Sequence, residues 1–118
     1  MGAKSRIRVA RVYDEPEPDE GQRVLVDRLW PRGFRKDDPR VGTWCKDVAP
    51  SNELRGWYNH QPERFDEFVA RYQMELQGSA ALDELRELTK RGAATLVTAT
   101  RDVEISHAAV LADLLNGG

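Results

Sequence analysis

Asp27, Arg28, Trp30 and Arg32 follow directly on a short apolar run, Val24-Leu25-Val26. A second set, Thr98, Thr100, Arg101 and Asp102, follows another such run and leads to Ser106 and His107. Carboxylates and imidazoles are the usual proton carriers near neutral pH. Arginine can hold a carboxylate or phosphate through two parallel hydrogen bonds. In an open parallel sheet, ligands bind in the crevice outside the carboxyl ends of the strands. If both runs are parallel strands, the two sets share one rim. An anionic small molecule or nucleotide needs that combination. His107 and Asp27 are then the candidate catalytic residues, and Arg28, Trp30, Arg32, Arg101, Asp102 and Ser106 the candidate ligand-binding residues. A helix opening after Asp102 would add its free N–H groups and positive dipole end.

Each of these residues also has a structural reading. Asp27 pairing with Arg28 or Arg32 would pin the Trp30 loop, and such pairs are weak evidence of function. Trp30 suits a core. Asp102 suits an N-cap, and His107 sits at the margin of an apolar stripe, where a satisfied structural histidine is common. Ser106 as a nucleophile would need His107 to reach it, yet neighbouring helix positions point about 100° apart. Cys45, between Trp44 and Lys46, fits a small buried hydrophobe better than a reactive thiol. His60 reads as a loop residue before a helix. Cys45, His60 and His107 lack metal-ligand spacing, so no metal is expected. No G-x-G-x-x-G, Walker A or G-x-S-x-G pattern is present, and no cofactor is expected.

The elements that must position these groups follow from periodicity and punctuation. Residues 7–13 read as a strand, 14–22 as a loop, and 23–29 as a second strand. The loop is short for a parallel crossover and, taken alone, would suggest a hairpin. Residues 31–50 read as irregular, with Pro31, Pro39 and Pro50. Ser51 can cap a short helix that turns Leu54, Trp57 and Tyr58 inward. Phe65, Phe68, Val69, Tyr72 and Leu76 form one stripe of a helix over 62–77, stopped at Gly78. Ser79 caps the next helix, through Leu82, Leu85 and Leu88 to residue 91. Residues 93–99 read as a strand buried on both faces. A final helix over 103–116, capped by Asp102, turns Ala108, Leu111, Ala112 and Leu115 inward. Strands alternating with helices imply an α/β fold, a small mainly parallel sheet covered by helices in a Rossmann-like three-layer arrangement. Residues 23–29 and 93–99 would be its inner strands.

The stretch Asp27-Arg28-Leu29-Trp30-Pro31-Arg32-Gly33 resembles the signature of the YeaO-like family, small bacterial proteins classed as a domain of unknown function. Ala49-Pro50-Ser51-Asn52-Glu53-Leu54-Arg55, Phe68-Val69-Ala70-Arg71-Tyr72 with Glu75-Leu76, and residues 95–111 agree, so the resemblance covers nearly the whole chain. It implies an α/β fold and no particular activity. The wider superfamily has a strand–helix–strand unit ending in Asp-Val-Arg, similar to Asp27-Arg28, which favours a parallel arrangement with a truncated crossover. That superfamily also has Leu-Cys-Ala-Glu closing a strand and Cys-His-Arg opening the last helix. The matching residues here are Val97-Thr98-Ala99-Thr100 and Ser106-His107-Ala108. The histidine is kept while both cysteines and the arginine are not, which argues against thiol chemistry.

At 118 residues the chain is expected to form one domain over 1–118. Its 40% apolar and 32% charged residues suit a soluble globular protein. No run approaches a membrane span, no signal-peptide core is evident, and a single cysteine precludes an internal disulfide; a cytoplasmic location is expected. The net charge of −2 hides an acidic stretch at 14–20 and a basic one at 28–40. The composition argues against nucleic-acid binding through the basic stretch, because the pI is about 5.7 and Asp37 and Asp38 interrupt it. An enzyme acting on an anionic small molecule or nucleotide ranks first, and a non-catalytic binding or regulatory module using the same pocket ranks close behind.

Overall fold

Every residue of Ala94–Thr98 is buried, as its unbroken apolar and β-branched character requires. This strand, β4, is central to the computed structural model, which describes residues 7–117. With β1 (Ile7–Arg11), β2 (Gln22–Leu25) and β3 (Thr43–Trp44) it forms a parallel sheet in the order β1-β4-β2-β3. Leu96 lies between Val9 and Val24, and Val97 between Ala10 and Leu25. The expected inner strands are therefore the inner strands, in a small α/β fold.

The connection between β1 and β2 does not join neighbours, since β4 lies between them. Residues 12–21 can extend about 30 Å, enough to return along one strand and step past another without a helix. The loop is stitched to the start of β4. The Thr95 hydroxyl donates to the Glu20 carbonyl at 2.9 Å, and the Gln22 amide donates to the Ala93 carbonyl at 3.3 Å.

Helices α1 (Asn52–Tyr58), α2 (Phe65–Leu76) and α3 (Ala80–Thr89) follow the sequence signals closely, whereas α4 (His107–Leu115) starts later than expected. Ser51 and Ser79 cap α1 and α3, accepting from Leu54 N and Leu82 N, each at 3.1 Å. Phe68, Tyr72 and Leu76, Leu82 and Leu85, and Ala108, Leu111 and Ala112 bury their side chains with Ile7, Val24, Val26 and Leu96. Among the described residues, all four helices cover this one face. On the other face Val12, Leu25, Val41 and Val97 pack with Ala10, Trp30, Phe34 and Ala99. Irregular chain around 29–42 covers that face; Pro31, Gly33 and Pro39 make a helix there untenable. The third layer thus exists but is not helical.

Buried Arg23 holds this cover to the sheet. Its guanidinium donates to the Arg40 carbonyl at 3.0 Å and the Arg11 carbonyl at 3.4 Å. Its Nε lies 2.9 Å from Glu20 Oε2, an ion pair whose angles are too poor for a hydrogen bond. β3 was not expected. It is two exposed residues long, and its pairing is extended by the Cys45 amide donating to the Leu25 carbonyl at 2.8 Å.

Two glycines permit this close winding. Gly21 (φ +77°) and Gly42 (φ +72°) adopt left-handed backbone, and a Cβ would fall 2.0 Å from the Ala93 carbonyl oxygen or 2.1 Å from that of Arg23. Gly21→Ala and Gly42→Ala are each expected to destabilise the fold by at least about 1–3 kcal/mol in urea unfolding. An unchanged midpoint for either would refute the close approach.

Candidate functional site

The chain leaves β2 through Val26 and presents the Asp27 carboxylate to the end of β4. Asp27 Oδ1 accepts from the Thr98 hydroxyl at 2.7 Å, and Oδ2 accepts from the Ala99 amide at 2.8 Å. His107, the first residue of α4, brings Nε2 within 3.3 Å of Oδ1 and 3.0 Å of the Val26 carbonyl. A carbonyl only accepts, so Nε2 carries the proton. Asp27 pairs with His107 and not, as expected, with Arg28 or Arg32. Burial raises the Asp27 pKa, but the His107 hydrogen bond and charge, the Ala99 amide and the Thr98 hydroxyl together lower it below the ordinary value. Asp27 is thus an ionised, fully engaged anchor and a poor proton acceptor.

Beside this anchor opens a cleft of about 970 Å³. The Asp27–Arg32 segment, the Ala99–Asp102 loop, the start of α4 and the polar side of α1 line it. The two strand ends therefore share a rim, and every candidate residue named from sequence reaches it. The roles differ among them. Arg28 is half-buried and donates to the Ala49 and Pro50 carbonyls at 3.3 and 3.2 Å, bracing the rim against the approach to α1. Trp30 donates its indole N–H to the Phe34 carbonyl at 3.0 Å and packs edge-on against Trp44, 5.3 Å between centroids. It therefore buttresses the irregular cover while also lining the cleft. Arg32 and Arg101 are exposed and form no ion pair among the described residues.

Asp102 does not cap α4. Residues 103–105 form a separate 3₁₀ turn before which Asp102 makes no side-chain cap bond. The extended backbone of Ser106 (φ −96°, ψ 166°) then starts α4 four residues later than expected. The buried Ser106 hydroxyl donates to the Val103 carbonyl at 2.6 Å and accepts from the Ala109 amide at 3.4 Å. Its capacity is spent on the cap, which leaves no nucleophile there. Cys45 lies outside the cleft, and burial, with the charge of Glu84, pushes its thiol pKa up.

Sequence reasoning missed the α1 side of the cleft, where Asn52, Arg55, Tyr58, Asn59 and His60 line the opening. Tyr58 donates to the Ile105 carbonyl at 2.7 Å and stacks on Phe68 at 4.3 Å, which holds α1 against the turn before α4. Asn59 and His60 have φ of 45° and 53°. Successive left-handed residues other than glycine are uncommon and store strain. The available signal was Asn59, an asparagine placed where a helix ends, which suits that conformation.

Asp27→Asn retains the shape but must turn an amide N–H toward a donor, the Thr98 hydroxyl or the Ala99 amide. We expect it to destabilise the protein by about 1–3 kcal/mol near neutral pH. Because the folded-state pKa is depressed, the contribution of Asp27 is complete above the ordinary value of 3.8 and is lost as pH falls through the depressed one. The gap between parent and variant in chemical denaturation should close only in that acid range. A gap independent of pH would contradict this.

Comparison with known proteins places the chain. Residues 6–117 match the family model described as the inactive DUF488-N3 subclade. Uncharacterised proteins of Mycobacterium tuberculosis and Mycobacterium bovis are 71% identical to it over 99% of both chains. The uncharacterised protein YeaO of Escherichia coli is 38% identical over 92% of this chain and 96% of its own. No solved structure matches. Among the described residues no helix is long and apolar enough to cross a membrane, and no cluster of metal-ligating side chains is found. With both the family match and these relatives spanning almost its full length, the chain belongs to the YeaO-like proteins, in the subclade described as inactive DUF488-N3.

Proposed function

We propose that the cleft binds an anionic small molecule or nucleotide and holds it without turning it over. The observation that carries this reading is the charge of the cleft: Arg28, Arg32, Arg55 and Arg101 line it against only Asp27 and Asp102. This local excess of positive charge stands in a chain whose net charge is −2. Low-dielectric walls strengthen such a field inside a cleft. Tyr13, Trp30 and Tyr58 add aromatic surface for a planar group, and the volume suits a metabolite-sized ligand. The groups that would make bonds are committed elsewhere: Asp27 to its three partners, Ser106 to its cap, and Cys45 outside the cleft. The description of the subclade as inactive agrees with a binding role.

The Asp27–His107 pair favours a second reading, an enzyme in which Asp27 orients His107 as a general base or acid. Ligand identification separates the two. A ligand of the native protein raises its melting temperature by mass action, so a thermal-shift screen of anionic metabolites and nucleotides is expected to yield one. No stabilisation by any anion would overturn the cleft reading. With the ligand in hand, Arg101→Ala should weaken binding by about 1.5–3 kcal/mol, measured by calorimetry. Arg28→Ala should lower stability, because it unties the rim from Ala49 and Pro50. The ligand should be recovered intact after incubation. Conversion that falls by roughly 10²–10⁴ in a folded His107→Asn variant would instead establish the enzyme.

A further inference from the structure

A ring nitrogen of His107, at the cleft, has no hydrogen-bond partner among the described residues. His107 commits Nε2 to the Val26 carbonyl and the Asp27 carboxylate. Its Nδ1 makes no hydrogen bond among the described residues and is not one of the buried side-chain atoms left without a partner, so it keeps contact with solvent, and His107 lines the cleft. The ring is held from three directions. Asp27 and Val26 fix its edge, α4 carries its backbone, and Tyr72 of α2 packs edge-on at 6.3 Å between centroids. The imidazole is thus oriented, and Nδ1 is left without a partner in the fold.

We infer that His107 Nδ1 is the proton-linked anchor of the cleft, so that anion binding takes up one proton at this atom. This inference rests on the anion-binding reading and deepens it. In the neutral ring the proton sits on Nε2, and Nδ1 offers a lone pair that repels an anion. Protonation at Nδ1 turns that lone pair into an N–H donor beside the arginines. Nε2–H keeps both of its contacts throughout, so the ring need not move. Among charged and titratable groups, Asp27 is in contact with the imidazole and Tyr72 packs edge-on against it, while Arg28, Arg101, Asp102 and His60 line the same cleft. Of these only Asp27 lies within ion-pair distance of the ring, and it balances the added charge. Tyr72, its pKa raised first of all by burial, stays neutral in the neutral range. His60 also lines the opening, so the His107→Gln variant is what assigns the proton uptake to His107.

Sulfate is the probe, because its charge is constant across the pH range in which histidine titrates. The first measurement is on the free protein: nitrogen-15 NMR of the imidazole should show the Nε2–H tautomer for His107. A dominant Nδ1–H tautomer would overturn the inference whatever binds. The second is the His107 titration with and without sulfate. By linkage the midpoint should rise on adding sulfate, and sulfate affinity should fall with rising pH by up to about tenfold per unit above the midpoint. His107→Gln places an amide N–H near the Nε2 position and has no titratable group. It should fold and bind sulfate with the pH dependence of His107 removed. An unmoved midpoint, with arginine signals of the cleft still perturbed by sulfate, would overturn proton linkage and leave the cleft reading standing. No perturbation of cleft signals by sulfate at any pH would overturn both.

Discussion

A single carboxylate fixes the geometry on which the site depends. Asp27 leaves the end of one inner strand and ties down the end of the other through Thr98 and Ala99, then catches the first residue of α4 through His107. Two strand ends 71 residues apart and the start of α4 are thereby brought to one point. Without that tie, the two strand ends would be joined only by the ladder behind them, and His107 would hold α4 to the end of β2 through the Val26 carbonyl alone. The desolvation of a buried charge is offset because both oxygens accept charge-assisted bonds. The same commitment removes Asp27 from acid–base duty, so the feature that builds the site also limits its chemistry.

The asymmetry of the layers follows from the same region. Helices gather on one face, and the other is closed by irregular chain held by Arg23, Trp30 and the packing of Phe34 and Val41. That cover begins at the cleft, with Asp27 to Arg32, so the rim is the leading edge of a packed layer and not a free loop. Arg28 works in the same sense by spending its guanidinium on the carbonyls before α1. The other arginines of the cleft, Arg32, Arg55 and Arg101, are exposed.

Much of this was legible in the sequence because it rests on period and local chemistry. β2 and β4 announce themselves as apolar runs, α2 as a stripe from Phe65 to Leu76, and α1 and α3 through Ser51 and Ser79. What escaped depends on contacts distant in sequence. β3 is two residues long and owes its pairing to Leu25, so no local pattern marks it. The start of α4 was misplaced because Asp102 and Ser106 are both good caps, and only the Val103–Ile105 turn decides between them. The shared rim was foreseen from the two strand ends. The role of Arg28 as a brace and the contribution of Arg55 were not, because both depend on where α1 lies against the sheet. The partner of Asp27 was missed for the same reason, since His107 stands 80 residues further along the chain.

The Ala99 amide reports most directly on the central tie, because its hydrogen-bond acceptor is the Asp27 carboxylate at 2.8 Å, just beyond the end of β4. Native-state hydrogen exchange should find this amide protected in the parent protein although it lies past the strand. In Asp27→Asn that protection should be lost, while the Leu96 and Val97 amides inside β4 remain protected. An Ala99 amide that exchanges as freely as an open loop in the parent, or that keeps its protection in the variant, would contradict the account of how these strand ends are joined.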